Sequence, residues 1–198
     1  MNLHTFIFIG RSGCGKGTQA KLLDEQLKKI DPGTPIYHLE TGARFRAFVA
    51  EDSYTSALAK KMMLEGKRQP DFLAVWMWSH HFVEDFTGKE HLVIDGTPRS
   101  LNEAKILDGG MKFYDRAKPF IVHLNVSREW SEKHLMARGR GDDDREGIKH
   151  RLDWYEADVQ PAVEYYRNNP DYVFLDISGE QPVEAVHTEL IEKTGFSG

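Results

Sequence analysis

The stretch Gly10-Arg11-Ser12-Gly13-Cys14-Gly15-Lys16-Gly17-Thr18 constrains this chain more than any other. It fits G-x-x-x-x-G-K, and its surroundings fit too. A short apolar, β-prone run at 5–9 stops at Gly10, and the spacing of Ala20, Leu23 and Leu27 predicts a helix over 13–29. Glycines there let backbone N–H groups converge on phosphate oxygens at a helix N-terminus, with Lys16 in reach of the β- and γ-phosphates. The residue after Lys16 is Gly17 rather than Ser or Thr. A hydroxyl for magnesium therefore falls to Thr18, or the ion rests mainly on phosphates and water. A ligand-free Gly-rich turn is the bland alternative; strand, lysine and helix together argue against it.

The rest of the chain repeats the strand-then-helix pattern. Short apolar runs at 36–39, 91–94, 120–124 and 173–175 read as strands, and helical spacing covers 42–87, 101–107, 129–137, 146–167 and 182–193. The first of these helical stretches is broken near Asp52-Ser53 and over 66–70, with Ser53 and Pro70-Asp71 as helix starts. Five strands alternating with helices predict an α/β fold, a five-stranded parallel sheet flanked by helices. A length of 198 residues suits one domain with small inserted lobes. One insertion lies between strands two and three, and a smaller one is the charged Gly-rich loop RGRGDDD at 138–144.

A formal charge of −5 argues against non-specific nucleic-acid binding. Cys14 is the single cysteine, which excludes a disulfide framework and a four-cysteine zinc site and fits a reducing cytoplasm. No apolar run approaches about 18 residues, and the N-terminal one is too short for a signal peptide. The expectation is a soluble cytoplasmic protein without membrane contact.

Five motifs carry a resemblance over nearly the whole chain: Gly15-Lys16-Gly17-Thr18-Gln19-Ala20, Glu40-Thr41-Gly42-Ala43-Arg44-Phe45-Arg46, Val93-Ile94-Asp95-Gly96-Thr97-Pro98-Arg99, Arg138-Gly139-Arg140-Gly141-Asp142-Asp143 and Ile148-Lys149-His150-Arg151-Leu152. In order and spacing they resemble the adenylate kinase family of nucleoside monophosphate kinases, P-loop NTPases that move a phosphoryl group from ATP, with magnesium, to a monophosphate. The resemblance implies a monophosphate-binding lobe at 40–70, a short-form lid at 139–144, no zinc, and a monomer.

It also implies roles. Gly13, Cys14, Gly15, Lys16, Gly17, Thr18 and Arg138 would hold the triphosphate, with His134 and Gln181 toward its base. Thr41, Gly42, Arg46, Lys67, Arg68, Gln69, Gly96, Thr97, Pro98, Arg99, Glu103, Arg140 and Arg151 would hold the monophosphate. Lys16, Arg99, Arg138, Arg140 and Arg151 would surround the transferring group, and Asp95 would meet magnesium through water beside Thr18. Guanidinium suits this work because it stays protonated and grips phosphate bidentately. Asp142 and Asp143 resemble the hinge acids that pair with lid arginines.

The acceptor base is less settled. Thr41 matches the Thr-Gly of AMP-using members. Glu103 stands where a glutamine is usual, and an ionised carboxylate only accepts hydrogen bonds, which suits guanine's donors better than adenine N1. AMP is the expected acceptor, with GMP, UMP or CMP as alternatives, and a P-loop kinase of a non-nucleotide metabolite or a nucleotide-binding regulator as further readings. Trp76, Trp78, Phe72 and Phe82 are read as core of the helical insertion, and the adjacent His80-His81 as unable to share one helix face.

Overall fold

The computed structural model describes residues 3–139 and 143–196. Five parallel strands, β1 (Thr5–Gly10), β2 (Ile36–Glu40), β3 (His91–Asp95), β4 (Phe120–Asn125) and β5 (Val173–Ser178), lie in the order β2-β3-β1-β4-β5. β1 is central, pairing Phe6 with Val93 of β3 and with Phe120 of β4. The chain steps to β3 on one side of β1 and to β4 on the other. A sheet of this kind opens a crevice at its carboxyl edge where the order reverses.

Alternation along β1 explains why the sheet is covered on both faces. Phe6 and Phe8 enter one apolar cluster with Leu23, Leu27 and Leu190. Ile7 and Ile9 enter the opposite one with Leu107, Tyr155 and Tyr166. All four β1 side chains are buried, and each contributes about 1.5–3 kcal/mol through removal from water.

Among the described residues the helices are α1 (Lys16–Ile30), α2 (Thr41–Phe48), α3 (Tyr54–Leu64), α4 (Asp71–Asp85), α5 (Leu101–Phe113), α6 (Arg128–Arg138), α7 (Arg145–Trp154), α8 (Gln160–Arg167) and α9 (Val183–Thr194). Their starts follow local chemistry. Ser53 opens α3 with a reciprocal bond to Ser56, and Ser100, Ser127 and Asp144 accept from Glu103, Trp130 and Gly147 amides at the heads of α5, α6 and α7. Helices α2, α3 and α4 lie between β2 and β3 and share a small apolar cluster of their own, including Phe45, Phe48, Leu73 and Met77.

The structure departs from expectation in four places. The helix expected over 146–167 is interrupted by a π-helical turn at Tyr155–Val159, where the Gln160 amide bonds to the Tyr155 carbonyl. Pro161 supplies a reason: it has no N–H and crowds the preceding turn, and a wider turn upstream relieves both. α5 runs on past Leu107 to Phe113 through Gly109-Gly110, because Asp108 and Met111 are buried there. β5 continues through Asp176, whose carboxylate bonds His123 and Arg167 rather than ending the strand. Trp78 and Phe82 are core, but of the main sheet cluster, while Phe72 and Trp76 are exposed. No described helix is long and apolar enough to cross a membrane.

Candidate active site

A cavity of about 710 Å³ opens at the carboxyl edge of the sheet. Its floor is the loop between β1 and α1. Gly13 has φ +82, and a Cβ there would stand 2.8 Å from Leu135 Cγ, so α6 packs directly on the loop only because this residue has no side chain. Gly15 caps α1 with φ 93. The Lys16 ammonium donates to the Gly10 carbonyl at 2.8 Å and the Arg11 carbonyl at 2.9 Å, folded over the loop beside the buried Cys14.

β3 ends in Asp95, which is buried beneath the loop. Burial pushes its carboxyl above the usual range, Lys16 draws it back, and Glu40 adds to the rise. A Cβ on Gly17 would stand 3.2 Å from Asp95 Oδ2. The missing hydroxyl after Lys16 thus coincides with the close approach of this carboxylate. Among the described residues no cluster of three or more metal-binding side chains occurs. The donors here are hard oxygens, the Asp95 carboxylate and the exposed Thr18 hydroxyl. That set suits magnesium held mainly by phosphates and water.

Across the cavity, Gly42, Arg46, Lys67 and Gln69 line the wall from the helical insertion, with Gly96 and Arg99 at the end of β3. Arg46 Nη2 donates to Glu40 Oε1 at 2.7 Å, and Arg99 Nε to the Gly96 carbonyl at 2.7 Å. Burial lowers the Arg99 pKa, Glu103 and Asp95 oppose the drop, and Arg46 and Arg151 add to it. A guanidinium stays protonated regardless.

Arg138 and Arg151 line a third side. Arg138 holds Asp143 through Nε and Nη2, both at 2.8 Å, and Arg151 Nη2 reaches Asp143 Oδ1 at 2.6 Å. The Asp143 side chain is fully buried between them. Arg140 and Asp142 lie outside the described residues. At the fourth side His134 and Gln181 both line the cavity, and the His134 ring stacks on Trp130 with centroids 3.5 Å apart.

Five expected residues are placed otherwise. Glu103 is fully buried and outside the cavity lining; it accepts from Thr97 Oγ1 at 2.7 Å and the Arg99 amide at 2.6 Å. Both of its oxygens brace the 97–99 turn. Thr97 is buried in the same brace. Arg68 turns from the cavity to Asp71 and Asp158. Pro98 lines a small adjoining pocket rather than the main cavity. Thr41 is buried, and its hydroxyl makes no hydrogen bond among the described residues.

Sequence reading missed Trp130 and Trp154, which also line the cavity. Trp154 lies three residues after Arg151, a spacing that puts both on one helix face and was legible. Its indole sits 6.0 Å from the Arg99 guanidinium carbon.

Comparison with known proteins agrees with this geometry. Residues 8–170 match the family model described as adenylate kinase. The chain is 35% identical to adenylate kinase 1 of Synechocystis sp. over 188 residues, covering 93% of each protein. It is 30% identical to the adenylate kinase of Corynebacterium aurimucosum over 190 residues, covering 96% of this chain and 98% of that protein. It is 31% identical to adenylate kinase 1 of a Nostoc species over 184 residues.

Proposed function

The chain belongs to the adenylate kinase family, and from that membership we propose that this nucleoside monophosphate kinase uses ATP and AMP, giving two ADP. The observation that carries the reading is that one cavity joins the Lys16 loop to Gly42, Arg46 and Arg99, with Arg138 and Arg151 between. An AMP phosphate oxygen attacks the γ-phosphorus, the bond from phosphorus to the β–γ bridging oxygen breaks, and its electron pair leaves with ADP. Charge on the transferring group is met by Lys16, Arg99, Arg138 and Arg151, and in-line placement supplies the rest. Arg140 belongs to the same set by family resemblance.

Magnesium, which the family uses with ATP, offsets β- and γ-phosphate charge; Asp95 through water and Thr18 are the residues that would orient it. The 40–70 segment is the monophosphate lobe and 139–144 the lid. His134, stacked on Trp130, and Gln181 border the donor base.

Two unmet bonds support AMP as acceptor. The Thr41 hydroxyl and Gln69 Oε1 are buried without hydrogen-bond partners among the described residues, while Gln69 Nε2 is engaged by the Ala59 carbonyl. A hydroxyl that can donate and an amide oxygen that accepts match adenine N1 and its 6-amino group.

A coupled assay of ATP against AMP, GMP, CMP and UMP tests the reading. AMP should give the highest kcat/KM. A preference for another monophosphate overturns the base assignment, and turnover of none overturns the kinase assignment.

A further inference from the structure

The loop that follows α3 carries Lys67 and Gln69 into the cavity, yet its own anchorage lies elsewhere. Glu65 and Gly66 end α3, where helix carbonyls lack intrahelical partners. The His150 Nδ1 hydrogen is donated to the Glu65 carbonyl at 2.8 Å, and the Trp154 indole N–H to the Gly66 carbonyl at 3.1 Å. Two residues further on, Arg68 Nε donates to Asp158 Oδ2 at 3.1 Å.

His150, Trp154 and Asp158 are spaced by four on α7 and the π turn, so they form one stripe beside Arg151. The backbones also meet. Gly66 has φ +66, and a Cβ there would stand 2.6 Å from Gly147 Cα, so any side chain at 66 would push the loop off α7.

We propose that His150, Trp154 and Asp158 are positioning residues: a strap that holds the trailing loop of the monophosphate lobe against the helix bearing Arg151. It thereby fixes Lys67 and Gln69 for the acceptor nucleotide. The strap grips residues 65, 66 and 68, so Lys67, which lines the cavity and pairs its ammonium with Glu65 Oε2 at 2.7 Å, is held on both sides. Its hydrogen bonds go to residues 65, 66 and 68, so its effect falls on one substrate. The claim about the acceptor rests on the AMP kinase reading.

The test uses the full chain with His150→Ala, Trp154→Phe, which keeps the ring and loses the N–H, and the double variant. In the free protein, amide hydrogen exchange over 62–68 should quicken in each variant relative to the β1–β3 strands; unchanged exchange in Trp154→Phe and the double variant overturns the strap. In kinetics, the AMP KM should rise about fivefold per lost bond while the ATP KM stays within about twofold, and His150→Gln, which can still donate, should recover part of the loss. Equal rises in both KM values, or no rescue by glutamine, overturn the positioning role. Absence of AMP turnover in the wild-type chain overturns only the kinase reading, because exchange still decides the strap.

Discussion

The Thr97 hydroxyl donates to Glu103 Oε1 at 2.7 Å across the turn that ends β3. With the Arg99 amide on the other oxygen, this bond ties the head of α5 to the turn that presents Arg99. Glu103 therefore braces from behind the turn that carries Arg99.

Burial raises the Glu103 pKa above its ordinary 4.5, against the pull of Thr97, the Arg99 amide and the Arg99 charge. As pH rises past that value the unfolded chain releases this proton first. The stability tied to the neutral acid is thus present at acid pH and lost toward neutral. Glu103→Gln removes the titration. Denaturant unfolding at about pH 5 and about pH 7.5 should show the wild type losing more stability over that interval than the variant; equal losses would refute the raised pKa. The ratio of AMP to GMP turnover should stay within about twofold, and a large gain for AMP would return Glu103 to base recognition.

Lys16→Met removes the ammonium that covers the phosphate loop. Its loss should lower kcat by about a hundred- to a thousandfold, as expected when a charge-stabilising donor is deleted. Far-UV circular dichroism should not change, since the bonds lost are local contacts to the Gly10 and Arg11 carbonyls and the Cys14 sulfur. Full activity would sink the assignment of this loop to the transferred phosphate.

Asp143 holds Arg138 and Arg151 side by side at the cavity wall. Asp143→Ala leaves two guanidinium groups facing each other without that carboxylate. Charge-assisted bonds of this type are worth about 1.5–3 kcal/mol, so kcat/KM should fall by about ten- to a hundredfold. Asp143→Asn, which keeps an accepting oxygen, should lose less. Steady-state kinetics at low and high salt check it; equal kcat/KM in wild type and Asp143→Ala would show that the arginines need no such spacer.

Local pattern was enough for the strands and for most helices. β1 and β3 are uninterrupted apolar runs because both sheet faces are covered, and Ser53 marks its helix start with its own hydroxyl. The phosphate loop was legible for the same reason: its function resides in backbone geometry set by residues adjacent in sequence. The π turn was less so, because Pro161 signals a break but not how the helix absorbs it. The helix expected over 101–107 runs on to Phe113, because the burial of Met111 overrides the poor helix propensity of Gly109-Gly110.

What the sequence by itself determined was the chemistry available: a phosphate loop, a set of arginines, and the order in which strands deliver them. Only the tertiary structure decided which polar groups are bonded inside the fold. Glu103 and Arg68 stand at the expected spacing, yet Thr97 and the Arg99 amide engage one, and Asp71 and Asp158 the other. Thr41 and Gln69 carry no charge and keep unmet bonds. Spacing along a chain fixes which residues a helix or strand presents, whereas partners from the 97–99 turn, α4 and the π turn arrive through the fold and decide which way a side chain is held.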